Sequence, residues 1–273
     1  MSARLTATEL TLAYDNRTVV HDLSLQIPDG EFTVIVGPNG CGKSTLLKAL
    51  SRTLRPTAGQ VMLDGRPITS YRSKEVAREL ALLPQTPIAP DTITVRDLIA
   101  RGRFPHTTVL RQWSTADERA LQSAMDETET TQLADRPVSE LSGGQRQRVW
   151  LAVVLAQQTQ IVLLDEPTTF LDIGYQYEVL ELCSALQNSG RTFVAVLHDL
   201  NQAARFATNL LVMADGAIVA SGHPNDVMTA ETVSSVFGLD CRVVTDPESG
   251  SPLVVPRVRV PYAGTSATQG HGR

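Results

Sequence analysis

Residues 32–50 constrain the fold of this chain more than any other stretch. Phe32 to Val36 is a short apolar and β-branched run that predicts a buried strand. Gly37, Pro38, Asn39, Gly40, Cys41, Gly42, Lys43, Ser44 and Thr45 follow, and residues from Ser44 onward predict a helix start. The loop between strand and helix fits the phosphate-binding pattern G-x-x-x-x-G-K-[ST] through Gly37, Gly42, Lys43 and Ser44. Glycines let the main chain close around an anion with successive N–H groups pointing inward. The following helix adds the positive end of its dipole. Lys43 is the residue to reach the β- and γ-phosphates, and the Ser44 hydroxyl the one to ligate Mg²⁺.

The segments around this unit set the organisation. Alternation over residues 5–12 and 19–27 predicts two strands, the second ending at the turn Pro28-Asp29-Gly30. Tyr14 falls in the loop between them. It can stack on a nucleobase, although a lone tyrosine is more often core or surface. Asp64-Gly65, flanked by residues 61–63 and by Pro67-Ile68, is a two-residue hairpin signal. A strand at 81–83 stops at Pro84. Gln85 then sits at a hinge, because Pro87 and Pro90 open a loop and helices take over. Thr94 with Asp97 reads as a capping box, 116–125 as a helix, and the helical lobe as running to about 158. Residues 161–164, 192–197, 210–213 and 217–220 return as strands of a mostly parallel core. Residues 224–237 read as helical, Cys241–Thr245 as the last strand, and 256–273 as a small, polar, disordered tail.

Three further places carry chemistry. The apolar strand at 161–164 ends in Asp165-Glu166, and the carboxyl end of a core strand is where α/β folds bind ligands. Asp165 is placed to hold Mg²⁺ with Ser44, and Glu166 to polarise a water in line with a γ-phosphate. Ser142, Gly143, Gly144 and Gln145 precede a helix, with Ser142 as N-cap and two glycines leaving N–H groups accessible. This is either a simple cap or a second anion-binding helix terminus. One nucleotide cannot readily use both termini if they sit on different lobes, whereas two copies arranged head to tail can. His198 follows the strand at 192–197 and can donate to a γ-phosphate oxygen, although such histidines are more often satisfied within the fold. His21, His106, His223 and His271 lack that setting and are expected at the surface or in loops.

Composition excludes several classes. Hydrophobic residues make up 42%, enough for a sizeable core, and the net charge of −5 argues against a nucleic-acid footprint. The three cysteines, Cys41, Cys183 and Cys241, form no C-x-x-C pair. That argues against a zinc site or a disulfide framework and suits a reducing cytosol. No leader segment is visible. The longest apolar runs, at 161–164 and 193–197, are far too short to span a bilayer. Any membrane role is therefore expected through a partner.

Taken in order, GPNGCGKST, LLPQ, LSGGQRQR, IVLLDEPTTFLD and LHD resemble the nucleotide-binding subunits of ABC transporters, over about residues 3–255. The resemblance implies an α/β, ABC-type P-loop ATPase with a mostly parallel core sheet, an N-terminal antiparallel β subdomain and a helical lobe. Residues 3–85 and 159–255 would form the core and 86–158 the lobe. By the same resemblance Tyr14 stacks on adenine, 37–45 is the Walker A loop, and Gln85 is the Q-loop glutamine touching metal or attacking water. Ser142 to Gln145 is the signature acting in trans, Asp165 the Walker B acid and Glu166 the catalytic base. Asp172 links the two sites across the dimer, and His198 is the switch histidine, sharing with Lys43 the stabilisation of transferring charge.

The stretches 73–78, 100–106, 198–203 and 252–256 are similar to the ferric-siderophore importer ATPases, of the ferric-enterobactin type. The implied cofactors are ATP and Mg²⁺. The implied partners are a second copy of the chain, transmembrane permease subunits and, indirectly, an extracytoplasmic siderophore-binding protein, with no nucleic acid. The implied location is peripheral, on the cytoplasmic face of the inner (plasma) membrane. The segment Arg101–His106 is either part of the docking surface or an ordinary helix end. Related ATPases import haem or vitamin B12. A soluble ABC ATPase would carry coiled-coil insertions or tandem units, and a GTPase an N-K-x-D; neither occurs here. The siderophore itself is not legible.

Cys41 sits in the phosphate loop close to a helix N-terminus, either as a reactive thiol or as a small space-filling residue. Alkylation of Cys41 is expected to block hydrolysis, with bound MgATP protecting it. Equal labelling with and without MgATP, followed by mass spectrometry, would contradict this.

Overall fold

Alternating apolar residues at the N-terminus pair as antiparallel strands, β1 (Leu5–Tyr14) and β2 (Arg17–Ile27), with Leu5 opposite Ile27 and Tyr14 opposite Arg17. Tyr14 thus ends a strand instead of lying in the connecting loop. A computed structural model describes residues 3–15, 17–107, 113–169 and 171–257. β3 (Phe32–Val36) is buried along its whole length and leads through the glycine loop into α1 (Lys43–Leu50). β4 (Ala58–Leu63) returns to pair with β1, and β5 (Arg66–Pro67) closes the hairpin with Leu63 opposite Arg66. Ile68 lies past that hairpin, opening a 3₁₀ turn.

α2 (Ser73–Glu79) delivers β6 (Leu80–Leu83). The lobe follows as α3 (Val95–Ala100), α4 (Thr115–Glu127) and α5 (Gly143–Ala156). Then come β7 (Ile161–Asp165), α6 (Ile173–Asn188), β8 (Thr192–Val196), α7 (Leu200–Phe206), β9 (Asn209–Ala214) and β10 (Ala217–Gly222). α8 (Pro224–Val227), α9 (Ala230–Phe237), β11 (Cys241–Thr245) and β12 (Pro252–Pro256) complete the described chain.

The core sheet has the order β10-β9-β3-β8-β7-β6, parallel except for the edge strand β10. The four-stranded antiparallel sheet β2-β1-β4-β5 stands apart from it. This is the expected α/β architecture. Successive side chains of β3 point to opposite faces. Ile35 joins Leu46, Leu47 and Leu50 of α1 and the apolar residues of β1, while Val34 and Val36 join Leu180 and Ala203 on the other side. Each such buried aliphatic side chain contributes about 2 kcal/mol. Ile35 of β3 and Asp165 of β7 both lie opposite Val196 of β8, so three strands end at one level.

Two boundaries differ from expectation. Cys241–Thr245 is not the last strand, because β12 pairs with it, Cys241 opposite Pro256. Prolines at both ends of β12 hide the strand from pattern reading. Asn201 clamps it, accepting from the Val254 N–H at 2.7 Å. Residues 224–237 form two helices, broken where Thr229 caps α9 by accepting from the Thr232 N–H. Pro256 belongs to β12, the Arg257 N–H donates to the Asp240 carbonyl at 2.9 Å, and residues 258–273 of the tail lie outside the described residues.

Within the lobe Thr94 caps α3, accepting from the Asp97 N–H at 3.1 Å, but the expected capping box does not close, because the Asp97 carboxylate accepts from the Thr94 hydroxyl instead of its main-chain N–H. The turn Arg101–His106 presses onto α5 so closely that a Cβ on Gly102 would sit 2.3 Å from the Val153 carbonyl oxygen. Arg103 is therefore inside, not on a docking face. Its guanidinium pairs with Asp117 at 3.0 Å and donates to the Ala156 carbonyl at 2.8 Å, with the two side chains 4% and 0% exposed. Phe104 next to it is 61% exposed.

Burial alone would push the Asp117 carboxyl up. Hydrogen bonds from Ser114 and Arg103 outweigh this and hold it down to about 2. A depressed carboxyl contributes stability above its ordinary value near 3.8 and loses that contribution as pH falls through about 2. Asp117→Asn leaves the Arg103 charge buried without its partner and should cost on the order of 3 kcal/mol in chemical denaturation at neutral pH. The difference from wild type should shrink as pH falls towards about 2. A pH-independent difference would contradict this assignment.

Candidate active site

The phosphate loop is shaped by close backbone approach. Gly42 has φ 105 at the N-cap of α1, and a Cβ there would meet Val20 at 2.9 Å. At Gly37 a Cβ would lie 2.2 Å from the Met213 carbonyl oxygen of β9. Lys43 is buried, and its ammonium donates to the Gly37 and Pro38 carbonyls at 2.7 and 2.9 Å. The cation is thus held inside the curve of the loop. Cys41 is buried beneath it. Its Sγ is 4.0 Å from Lys43 Nζ and would lie 2.8 Å from a Gly37 Cβ, so the sulfur fills the floor of the loop.

At the end of β7 the Ser44 hydroxyl donates to Asp165 Oδ1 at 2.7 Å. Burial raises the Asp165 carboxyl; the Ser44 hydrogen bond opposes that, and the neighbouring Glu166 adds to it. Glu166 has φ 53, a left-handed conformation that costs a non-glycine residue energy and clusters at functional sites. Its carboxylate draws three donors together. Gln85 Nε2 donates to Oε2 at 2.6 Å, Thr169 Oγ1 donates to the same oxygen at 3.1 Å, and His198 Nε2 lies 2.7 Å from Oε1. Gln85, Glu166 and His198, predicted from separate motifs, therefore meet. Thr169 has no signal in the sequence beyond its place in the TTFLD run.

A cleft of about 730 Å³ joins Tyr14, residues 38–45, Glu166 and His198. It also takes in Arg17, His21 and Asp215, which pattern reading did not single out. His21 is exposed, as expected, and also lines this cleft. Its main-chain N–H donates to the Gly216 carbonyl, and the Gly216 N–H donates to the Cys41 carbonyl, both at 3.2 Å. This ties the antiparallel sheet and the β9–β10 turn to the phosphate loop. The contact joins residues far apart in sequence, so local pattern carries no sign of it.

Ser142 caps α5, accepting from the Gln145 N–H at 3.3 Å, while Gln145 Oε1 accepts from the Ser142 N–H at 3.1 Å. Ser142 and Gly143 are exposed, and Gly144 is buried. None of the residues from Ser142 to Gln145 lines the cleft of its own chain. Asp172, exposed, begins α6 and is likewise outside it. Among the described residues no group of three or more His, Cys, Asp or Glu side chains can hold a metal ion. A cation beside Ser44 and Asp165 therefore needs oxygens from a substrate and water as well.

Comparison with known proteins adds to this geometry. The family described as ABC transporter matches residues 20–169. The chain is 54% identical over 255 residues to the ferric enterobactin transport ATP-binding protein FepC of Escherichia coli (strain K12), covering 93% of this chain and 94% of that protein. It is 48% identical over 257 residues to the petrobactin import ATP-binding protein FpuD of Bacillus anthracis, covering 94% of each. Among solved structures, a chain of an ABC transporter in an inward-facing conformation is similar at a TM-score of 0.80 and 28% identity, covering 94% of this chain and 99% of that one.

Proposed function

The chain belongs to the ABC transporter family, and on that premise we propose that it is the ATP-hydrolysing subunit energising ferric-siderophore uptake through a separate permease. The observation that carries the hydrolytic part is the meeting of Gln85 and His198 on the Glu166 carboxylate beside the phosphate loop. The siderophore part is supported by the curated relatives. They differ in which siderophore their names give, so the individual compound is left open.

The residues present fit a magnesium ion. Ser44 and Asp165 are hard oxygen donors already facing each other, and burial of the carboxylate favours a cation beside it. Gln85 is the third proposed ligand. When bound, the ion neutralises charge on the β- and γ-phosphate oxygens. Tyr14 stacks on adenine at the mouth of the cleft. The nine residues 37–45 wrap the phosphates, and Lys43 exchanges its main-chain carbonyls for phosphate oxygens. Glu166 orients the attacking water and takes its proton, while His198 donates to the γ-phosphate.

A second copy completes the site head to tail, with Ser142, Gly143, Gly144 and Gln145 closing on the partner's nucleotide and Asp172 meeting it across the interface. The exposed N-terminus of α5, outside its own cleft, supports this arrangement. Residues 86–158 move as a lobe about the Gln85 hinge. No helix among the described residues is long and apolar enough to cross a membrane. The proposed partner is a transmembrane permease, met by this chain at the cytoplasmic face of the plasma membrane and served outside by a siderophore-binding protein. Exposed Phe104 and Ile88 are apolar docking points on the lobe.

Glu166→Gln should bind ATP, lose hydrolysis by about 10²-fold or more, and accumulate an ATP-bound dimer in size-exclusion chromatography. Wild-type turnover in that variant would reject Glu166 as the base. Uptake of labelled ferric siderophore by cells carrying Lys43→Ala should fall to background. Undiminished uptake would reject the transport role.

A further inference from the structure

The helix that begins at the exposed Ser142 end also touches the segment that holds the base. Gln147, in α5, donates from Nε2 to the Pro167 carbonyl at 2.7 Å. Pro167 directly follows Glu166, whose left-handed backbone persists only while its surroundings hold it. Thr169, two residues further on, donates to the Glu166 carboxylate. A second brace lies beyond this segment. The Tyr175 ring of α6 covers Gly144 so closely that a Cβ there would sit 3.0 Å from it. The Arg148 guanidinium lies 5.3 Å from the centre of the same ring and is itself anchored on Glu129 at 2.9 Å and on Glu178. The start of α5 is thus tied to both ends of the stretch from Glu166 to the first turn of α6. Of these ties, the Gln147 bond reaches nearest the base.

We propose that Gln147 is a positioning residue that transmits the state of the Ser142 end to the Glu166 carboxylate of the same chain. The inference rests on the head-to-tail reading, under which the Ser142 end meets the partner's nucleotide. A displacement of α5 by about 1 Å takes a 2.7 Å hydrogen bond out of bonding range. The Pro167 carbonyl is then released and Glu166 is free to leave its strained conformation. Binding of the partner's nucleotide therefore sets this chain's base, and the two sites act cooperatively. The Glu166 side chain already rests between Gln85 and His198, so a small backbone rotation redirects both carboxylate oxygens.

The test is the dependence of hydrolysis on ATP concentration in the full-length chain with Mg²⁺. The wild type should give a sigmoidal curve. Gln147→Met keeps the length of the side chain and removes the donor. It should bring the Hill coefficient to about 1 and lower kcat by up to about 10²-fold, with unchanged affinity for a fluorescent ATP analogue under non-hydrolysing conditions. Gln147→Lys restores an N–H donor at that reach and should recover the sigmoid. A sigmoid and kcat retained in Gln147→Met overturn the inference and leave the head-to-tail reading standing. A hyperbolic wild type together with full activity in Ser142→Arg overturns that reading, and the inference with it.

Discussion

Everything at the site depends on three parallel strands ending at one level. β3, β7 and β8 are adjacent in the core sheet, and their register sets Ile35 and Asp165 opposite Val196. The chain leaving β3 becomes the phosphate loop, that leaving β7 reaches Glu166 in one step, and that leaving β8 reaches His198 in two. A slip of one residue would turn every side chain of a strand to the other face. Burial on both faces makes such a slip costly, so hydrophobic packing keeps the proposed catalytic groups in place. The floor of the site is thus the middle of the core.

On that floor the charged groups occupy one another. Lys43 is taken up by loop carbonyls, Asp165 by Ser44, and Glu166 by Gln85, Thr169 and His198. Each of these contacts is one that a triphosphate, a cation and a water can replace with partners of the same chemistry. The strained backbone at Glu166 sits where these exchanges meet. In the proposed cycle, replacing the Gln85 contact is the step that moves the helical lobe.

Much of this was legible in the sequence where structure is local. The strand Phe32–Val36, the glycine loop, the Asp64-Gly65 hairpin and the Thr94 cap follow from residue type and spacing within a few positions. What escaped reading is long-range or masked by proline. His21 comes from the antiparallel sheet and Asp215 from the β9–β10 turn of the core sheet, and both meet the phosphate loop through contacts distant in sequence. β12 hides between prolines, and Tyr14 ends a strand because Arg17 pairs with it. Arg103 lies in the segment expected to form part of the docking surface, yet where Gly102 closes on α5 it is buried against Asp117.

The central claim is that each working site is shared between two copies of the chain. Mixing two variants, each inactive alone, tests it most directly. Lys43→Ala spoils a chain's own phosphate loop, and Ser142→Arg spoils the end it offers to its neighbour. In a head-to-tail pair of one of each, one site keeps both an intact loop and an intact Ser142 end. Steady-state ATP hydrolysis should be absent from either variant and return on mixing. Full hydrolysis by Ser142→Arg on its own, or no recovery in the mixture, would contradict the shared site.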